Sequence, residues 1–411
     1  MSKKLRWLQF TIYLFILTGF ASVSVISGEF EIMPVITGIC LIVVSIISTW
    51  LLKRYYPSGD RVIFLVVILL SSIGLIMLTR LEKASGVKQG IWLLIGIAAF
   101  LVIVIFFKKG FIGIAKLRYL FLAATILFMG LATFFGTEIY GAKNWILIGP
   151  ISFQPSEFGK IFLILYLASA LSQGHSFKKL MEPGIVVVIS LGFMMLQRDL
   201  GTALMIFAIS VTLVYLATSK RLYVIIALGL FILGGTASAA IFSHVRQRFV
   251  IWLDPWPYIY NESYQVVQSM YAVATGGMFG TGLGFGHPEY VAVNQSDFIF
   301  SVICEEMGLF MGFSILILNF ILFYRCIRSS ILANNNFTKL LTAGLSVMLA
   351  TQTLVIDGGV TGFLPLTGIT LPFVSYGGTS ILICYLAISI IFKVSEGERD
   401  ISEQRLFKRG D

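Results

Sequence analysis

The chain has 411 residues, of which 57% are hydrophobic and 12% are charged, and its formal net charge is +10. Soluble domains carry about 25% charged residues, so this chain has too little polar surface to cover a water-soluble globule. Its mean hydropathy of +0.92 indicates an integral membrane protein instead. The excess lysines and arginines lie mostly in short segments between apolar runs, which indicates membrane topology rather than nucleic-acid binding.

Cysteine and histidine usage argues against two kinds of metal or redox site. Cys40, Cys304, Cys326 and Cys384 lie in or beside apolar runs and show no Cys-x-x-Cys spacing. Neither a disulfide framework nor a zinc site is therefore expected. The three histidines are far apart in the sequence, so a histidine-based metal centre is not expected either.

Twelve apolar runs approach the length that a helix needs to cross ~30 Å of hydrocarbon. In chain order they cover residues 7–27, 31–52, 61–80, 90–108, 117–136, 158–173, 184–197, 200–218, 222–243, 299–324, 338–357 and 379–394. The sequence therefore predicts an all-α polytopic membrane protein with about twelve transmembrane helices. The first run is too long for a signal peptide and more runs follow it, so we expect a retained first span.

Basic residues between the runs predict the orientation of the chain. With the N-terminus inside, every inner segment carries lysine or arginine: Lys53, Arg54 and Arg61; Lys108, Lys109, Lys116 and Arg118; Lys178 and Lys179; Lys220 and Arg221; Arg325 and Arg328; and Arg399, Arg405, Lys408 and Arg409 in the tail. One outer segment opposes this arrangement, because it places Arg80, Lys83 and Lys88 outside. The positive-inside rule thus predicts that both termini are cytoplasmic.

Four outer segments then stand out as candidates for function. They cover residues 136–157, the turn at Arg198 and Asp199, the large loop 244–297 between the ninth and tenth spans, and residues 357–380. The glycine-rich stretch 276–286 favours a re-entrant segment, because irregular backbone at membrane depth must be buried in protein or line a wet cavity. The last segment alternates proline, glycine and hydroxyl residues with apolar ones, which is typical of a folded-back segment that shapes a groove.

Three carboxylates lie at or inside the tenth span. Asp297, at the membrane boundary, is a candidate general base, since partial desolvation raises the pKa of a carboxyl group. The alternative is that Ser296 or Asp297 caps the following helix. Glu305 and Glu306 lie deeper, where ionisable groups are usually functional or paired with a structural cation.

Other candidates lie in the first three outer segments. Gln154, Glu157 and Lys160 open the sixth span, where a Glu157–Lys160 pair or an anion site is possible at this spacing. Trp145 is either an interfacial tryptophan or a stacking platform for a sugar. Asp199 follows Arg198, which allows an internal ion pair. Cationic groups, Lys143, Arg246 and Arg248, could contact a diphosphate, and the two arginines could equally be solvated.

Several of these segments together resemble the SEDS (RodA/FtsW/SpoVE) family of peptidoglycan polymerases over roughly residues 61–395. The matching motifs are Gly-Ala-Lys-x-Trp at 141–145, Phe-Gln-Pro-Ser-Glu at 153–157 with Lys160, Asp-Leu-Gly-Thr at 199–202, Asp-Phe-Ile-Phe at 297–300 with Glu305-Glu306-x-Gly308, and Leu-Pro-x-Thr-Gly followed by Leu-Pro-x-x-Ser-Tyr-Gly-Gly within 364–378. Their number and order make the resemblance specific. It implies a ten-helix core at 61–395, so that residues 1–60 form an additional two-helix hairpin and 396–411 a cytoplasmic tail.

The resemblance implies an inverting glycosyltransferase that polymerises lipid II at the outer face of the bacterial cytoplasmic membrane, in elongation, division or sporulation. Asp297 would be the essential catalytic residue, and polyprenyl diphosphate would leave. The expected substrate-binding residues are Lys143, Trp145, Gln154, Glu157, Lys160, Asp199, Arg246, Arg248, Glu305, Glu306 and Ser375. A divalent cation, Mg or Mn, could assist, and no other cofactor is expected.

The expected partner, also by resemblance, is a single-pass class B penicillin-binding protein. Two alternatives of other classes stay open. The chain could be a transporter that flips lipid II, or a non-catalytic scaffold of the division or elongation machinery. Departures from the family pattern include Asn144, where arginine is common; Arg198, where proline is usual; and Asp357, where asparagine is usual.

Overall fold

The computed structural model describes residues 3–26, 28–106, 111–139, 141–149, 151–174 and 177–407. Its helices are α1 (Lys3–Val23), α2 (Ile32–Tyr55), α3 (Arg61–Leu81), α4 (Lys83–Phe106), α5 (Arg118–Phe135), α6 (Pro155–Ser172), α7 (Phe177–Leu196), α8 (Leu200–Thr218), α9 (Arg221–Ile241), α10 (Ser243–Leu253), α11 (Tyr264–Gly276), α12 (Ile299–Ile331), α13 (Asn336–Val360) and α14 (Gly378–Phe407). Four of the predicted inner basic residues, Lys108, Lys109, Lys408 and Arg409, lie outside the described residues.

The described part of each of the twelve apolar runs lies mainly on one long helix, namely α1 to α9 and α12 to α14. Within the described ranges, eleven helices are long and apolar enough to cross a membrane. Helix α6 is not among them, because Glu157 and Lys160 in its first two turns lower its hydropathy. The predicted polytopic helical fold is confirmed, whereas the number of spans and the side of each terminus stay predictions.

The centre of the protein is built around α3, which is buried along nearly its whole length and packs against α1, α4 and α12. Helices α13 and α14 are also mostly buried, and α14 packs along α4. Helix α9 is the opposite case, since none of its residues is buried and it packs against α8 and α10. An apolar helix surface without protein neighbours is what a lipid environment allows.

Helices α1 and α2 form the predicted N-terminal hairpin. The buried face of α1, with Ile12, Ile16 and Phe20, packs toward α2 and α3. Polar side chains also join the two helices, because Gln9 Nε2 donates to Thr49 Oγ1 at 3.0 Å. Hydrogen bonds between side chains help transmembrane helices to associate. The hairpin is therefore held to the core by packing and internally by polar contacts, while the domain boundaries stay predictions.

The first outer segment contains a small antiparallel sheet that the sequence analysis did not predict. Strands β1 (Thr137–Ile139), β2 (Ala142–Ile148) and β3 (Ile151–Phe153) lie in the order β1-β2-β3. Its register pairs Thr137 with Trp145 and Ile146 with Phe153. The backbone N–H of Lys143 donates to Gln197 O at 2.9 Å. This bond attaches the sheet to the turn between α7 and α8.

The glycine-rich stretch packs against a break in α12. Gly308 has non-helical dihedral angles (φ 80°, ψ 169°) inside that helix. The freed backbone groups find partners in the stretch, since Thr281 N donates to Glu305 O and Leu309 N to Gly277 O, each at 2.9 Å. A Cβ atom at Gly280 would lie 2.2 Å from Glu306 O, so the approach requires glycine. The irregular backbone is thus paired within the protein, as such a segment needs at membrane depth.

Candidate active site

A cavity of about 1040 Å³ lies where the four predicted outer segments meet. Its walls come from α4, the small sheet, the turn between α7 and α8, helices α10 and α11, the loop before α12, and residues 362–378. Six of the predicted site residues line it: Trp145, Gln154, Glu157, Asp199, Arg248 and Asp297. This volume is at the upper end of the range for ligand pockets in proteins.

Asp297 lies on the cavity wall and is partly buried. Ser296 Oγ donates to its Oδ1 atom at 2.9 Å. The helix cap of α12 is Phe298, without a side-chain hydrogen bond, so capping by Ser296 or Asp297 is not observed. Burial raises the pKa of the Asp297 carboxyl to about 6, although the Ser296 hydroxyl and the Arg248 charge act in the opposite direction. A carboxylate with this pKa suits a general base near neutral pH.

The segment 364–378 holds the loop that carries Asp297. Ser375 Oγ donates to Ser296 O at 2.6 Å, and Tyr376 N donates to Gln295 O at 2.9 Å. Gly368, in the left-handed region with φ 70°, brings the backbone close to Asp297, since a Cβ there would lie 3.3 Å from Oδ2. Ser375 itself does not line the cavity. It therefore orients the Asp297 loop from behind.

Gln89 in α4 supports the same arrangement from the other side. Its Nε2 donates to Ser375 O at 3.1 Å, and its Oε1 accepts from Gly377 N at 3.2 Å. Gln89 was not among the predicted site residues. A glutamine directly before an apolar run is itself a signal, because an amide that becomes buried needs hydrogen-bond partners.

Asp199 caps α8 and ties it to the small sheet. Its Oδ1 accepts from Thr202 N at 2.9 Å, while its Oδ2 accepts from Asn144 Nδ2 at 3.0 Å and Gln154 Nε2 at 3.3 Å. The carboxylate is buried and well supplied with donors. The anticipated internal pair with Arg198 is absent, since Arg198 Nη1 lies 3.2 Å from Glu138 Oε1 instead.

Glu157 and Lys160 form the pair that their spacing allowed. Lys160 Nζ lies 2.8 Å from Glu157 Oε1, and both side chains are buried. Only Glu157 reaches the cavity lining. Lys143, like Lys160, does not line the cavity. The Nζ atom of Lys143 donates instead to Thr133 O at 3.2 Å, at the end of α5.

The two arginines of α10 differ in placement. Arg248 lines the cavity, and its Nη1 donates to Leu366 O at 2.9 Å. Burial lowers the pKa of Arg248, whereas the charges of Asp199 and Asp297 raise it. Arg246 is exposed and does not line the cavity. Of the three cations predicted for a diphosphate, the structure brings only Arg248 to Asp297.

Glu305 and Glu306 support the glycine-rich stretch rather than the cavity wall. Glu306 Oε1 lies 2.7 Å from Arg80 Nη2, and its Oε2 accepts from Gly284 N at 3.0 Å. Glu305 Oε1 accepts from His287 N at 2.9 Å. For Glu306, the structural ion pair is thus the arrangement observed. The pair gives a structural role to Arg80, one of the three basic residues in the segment predicted to oppose the positive-inside pattern.

Lining residues that were not predicted as site residues include Lys88, Trp92, Arg198 and His244. Lys88 and Trp92 lie one turn apart on α4, together with Ile91 and Ile95 on the same cavity-facing side. Lys88 was noted only as an exception to the topology pattern. The signal in the sequence that could have identified Lys88 as a site residue was its position in a predicted outer segment.

The described fold and site define a multi-pass membrane protein with a large cavity and a carboxylate at its wall. The family model for FtsW, RodA and SpoVE, described as "Cell cycle protein", matches residues 60–400. The chain belongs to this family, as its motifs predicted, and is a multi-pass protein of the cytoplasmic membrane.

Individual relatives agree with the family assignment. The chain is 37% identical over 377 residues to the peptidoglycan glycosyltransferase RodA of Mycobacterium tuberculosis, covering 85% of this chain and 80% of that protein. It is 36% identical over 267 residues to the stage V sporulation protein E of Bacillus subtilis, covering 63% of this chain and 73% of that protein.

Solved structures show the same fold. A chain from a peptidoglycan synthase complex, described as coordinating polymerization and crosslinking, superposes with a TM-score of 0.71 at 26% identity. The match covers 84% of this chain and 98% of that one. RodA of Thermus thermophilus superposes with a TM-score of 0.62 at 26% identity, covering 83% of this chain and 98% of that one.

Proposed function

We propose that this chain polymerises lipid II into glycan strands at the outer face of the cytoplasmic membrane, with Asp297 as the general base. The chain is a peptidoglycan glycosyltransferase, in line with the names of its RodA and FtsW relatives. The observation that carries the role of Asp297 is its placement. It is the carboxylate of the cavity whose pKa burial raises to about 6.

The reaction joins two substrates in the cavity. The 4-hydroxyl of the acceptor sugar gives its proton to the Asp297 carboxylate as its oxygen attacks the anomeric carbon of the donor. The bond from that carbon to the diphosphate oxygen breaks, and the diphosphate departs with the electron pair. Attack opposite the leaving group inverts the configuration at the anomeric carbon.

The protein supplies charge and position for this step. With a pKa of about 6, Asp297 is mostly ionised at neutral pH and can accept the proton. Arg248 lies near both Asp297 and Asp199, where a fixed cation stabilises charge that develops on the departing diphosphate. Ser296, held by Ser375, fixes the position of the carboxylate.

The sugar and lipid portions of the substrate contact different surfaces of the cavity. Trp145 and Trp92 offer aromatic faces in the cavity, which suit stacking on sugar rings. Ile91 and Ile95 belong to the lining and are exposed on α4. Their apolar surface suits a polyprenyl chain beside the reacting centre.

A divalent cation belongs to the proposal only as an assistant held mainly by the substrate. The described residues contain no group of three or more His, Cys, Asp and Glu side chains placed for a metal ion. Mg²⁺ is commonly held by one or two carboxylates together with substrate phosphates. Polymerisation that stops with a chelator and resumes with Mg²⁺ or Mn²⁺ would support this assistance.

The proposed partner is a class B penicillin-binding protein that crosslinks the new strands. Support comes from the solved peptidoglycan synthase complex, which is described as coordinating polymerization with crosslinking. Co-purification of a single-pass transpeptidase with this chain from its native membrane would support the assignment. A chain that polymerises at full rate without any such protein would argue that the partner is dispensable for chemistry.

The decisive test incubates purified protein with labelled lipid II and separates the products on a gel, with and without the partner. Wild type should yield glycan polymer and polyprenyl diphosphate, and Asp297→Ala should yield neither while keeping a normal melting temperature. A parallel assay in liposomes follows transfer of lipid II between leaflets. Transfer without polymer would favour the transporter, and neither activity would favour the scaffold.

A further inference from the structure

Three nitrogen-containing side chains form a cluster on one wall of the cavity. His244 and Arg248 lie four residues apart on α10, so both face the same side of the helix. Arg198 comes from the turn between α7 and α8. All three line the cavity that holds Asp297. The cluster therefore combines two fixed positive charges with one imidazole, a group that can take up a proton.

His244 has an unused ring nitrogen. Its Nε2 atom is buried and has no hydrogen-bond partner in the described part of the chain. The ring packs near Phe242, with 5.6 Å between the ring centroids. An unsatisfied buried polar atom costs stability, and His244 is one of the side chains that line the cavity.

The surroundings of His244 disfavour its protonated form while the cavity holds no anion. Burial lowers the pKa of His244 below its ordinary value, and the charges of Arg198 and Arg248 lower it further. Arg198 has a counter-ion in Glu138, but that pair is about half exposed and screened by solvent. His244 is thus neutral at neutral pH beside two cations.

We propose that Arg198, His244 and Arg248 form the binding site for the donor diphosphate, and that His244 takes up a proton when the diphosphate binds. The inference rests on the proposed function, which supplies a substrate with a diphosphate group. Two negative charges placed against the cluster reverse the field at the imidazole and favour its charged form. The protonated ring then donates a charge-assisted hydrogen bond to a phosphate oxygen.

A proton gained on binding makes affinity depend on pH. With diphosphate bound, His244 has a higher pKa than it has in the empty site. The affinity for diphosphate rises as the pH falls from the higher of these two values to the lower. Each unit by which binding raises the pKa corresponds to about a tenfold gain in affinity. Lowering the pH from about 8 to about 5.5 therefore strengthens binding by at most about tenfold for a one-unit rise.

Other charged groups on the cavity wall have to be separated from this effect. They are Lys88, Glu157, Asp199, Glu262 and Asp297. Asp297 titrates in the same range, because its pKa is about 6. The experiment is therefore done in the Asp297→Asn background, which also prevents turnover of the ligand.

The probe is a short-chain prenyl diphospho-N-acetylglucosamine, a diphosphate diester whose charge stays constant in this pH range. Its affinity for the detergent-solubilised full-length protein is measured by calorimetry at both pH values. Asp297→Asn should bind several-fold more tightly at the lower pH, with about tenfold as the limit for a one-unit rise. Adding His244→Gln should remove the pH dependence and leave the weaker affinity at both values.

A matched control is His287→Gln, since His287 is an exposed histidine outside the cavity lining. That variant should keep the pH dependence of its parent. Arg198→Gln should weaken binding at both pH values by about tenfold, the loss expected for one charged hydrogen bond.

Binding that is independent of pH, or that keeps its pH dependence without His244, would overturn the inference. The result is separable from the test of the polymerase. Polymer formation with pH-independent binding overturns only the role of His244. Absence of polymer with His244-dependent binding overturns only the proposed polymerase and leaves a diphosphate-lipid site.

Discussion

At the scale of single residues, the central feature is how Asp297 is surrounded. Ser296 donates to it, Arg248 lies within its field, and Gly368 brings backbone close to its second oxygen. None of these contacts pairs the carboxylate directly with a cation. The carboxylate consequently keeps a raised pKa and stays available to accept a proton.

The pH dependence of turnover follows from this environment. A base with a pKa of about 6 is active when deprotonated, so the rate at saturating lipid II should fall tenfold per pH unit below about 6. Above that pH the rate should reach a plateau. Rates measured from pH 5 to 8, with melting temperature followed in parallel, check this. A flat profile in folded protein would show that Asp297 is not the base.

Asp357, in α13, is another buried carboxylate, and its situation differs from that of Asp297. Both oxygens are buried and lack hydrogen-bond partners in the described part of the chain. Asp357→Asn removes the possibility of an unpaired buried charge, so it should stabilise the protein by about 1 kcal/mol. Thermal unfolding in detergent measures this. Lower stability of the variant would mean that the carboxylate has a partner, such as a bound cation.

Some of this residue-scale detail could be predicted from sequence, and some could not. The Glu157–Lys160 pair follows from helical spacing, and Asp297 stood out as a carboxylate at the boundary of a span. The contacts of Gln89 with Ser375 and Gly377 join residues 286 and 288 positions apart. Such contacts depend on how helices pack, which local patterns do not determine.

At the scale of elements, the broken helix α12 and the glycine-rich stretch form one unit. The backbone of the stretch replaces helical hydrogen bonds at the break, and Glu306 links Gly284 to Arg80 of α3. The stretch is thereby fixed between α3 and α12 behind the Asp297 loop. Hydropathy predicted α12 as a plain span, because a glycine break leaves the apolar run intact.

Removal of Glu306 tests how much its link to Arg80 contributes to the stability of the protein. Glu306→Ala leaves Arg80, which is only 16% exposed, without its partner and should destabilise the protein by about 3 kcal/mol. The matched control is Lys83→Ala, which breaks the more exposed pair with Glu31 and should cost less than about 1 kcal/mol. Equal melting temperatures for the two variants would contradict this account.

The small sheet shows where element prediction failed. The segment 136–157 was predicted only as an outer loop, because glycines interrupt it and its apolar residues are too few for a span. The strands form because β2 carries β-branched and aromatic residues that favour extended backbone. Their pairing also depends on Asp199 and Gln197, which hold the sheet from a different part of the chain.

At the scale of the whole molecule, the family core and the N-terminal hairpin contribute differently. The family match begins at residue 60, and every described lining residue of the cavity lies beyond that point. The hairpin packs on α3, and Ile26 lies against the Gly284 position. It therefore supports the core from outside without contributing to the site.

Deletion of residues 1–56 tests this division. The truncated protein should polymerise lipid II at a rate within about threefold of wild type, a change below 1 kcal/mol in activation free energy. It should also melt at a lower temperature, because the buried surface of α3 loses its cover. A folded truncated protein without activity would show that the hairpin belongs to the catalytic machinery.

The claim on which the rest depends is that Asp297 takes the proton in glycan polymerisation. It is tested most directly by the rate of lipid II consumption by purified Asp297→Asn, which keeps the shape of the side chain and removes its basicity. The account predicts a loss of about a hundredfold or more with an unchanged melting temperature. A rate within about threefold of wild type in the folded variant would contradict it, since a change below 1 kcal/mol leaves no room for a general base.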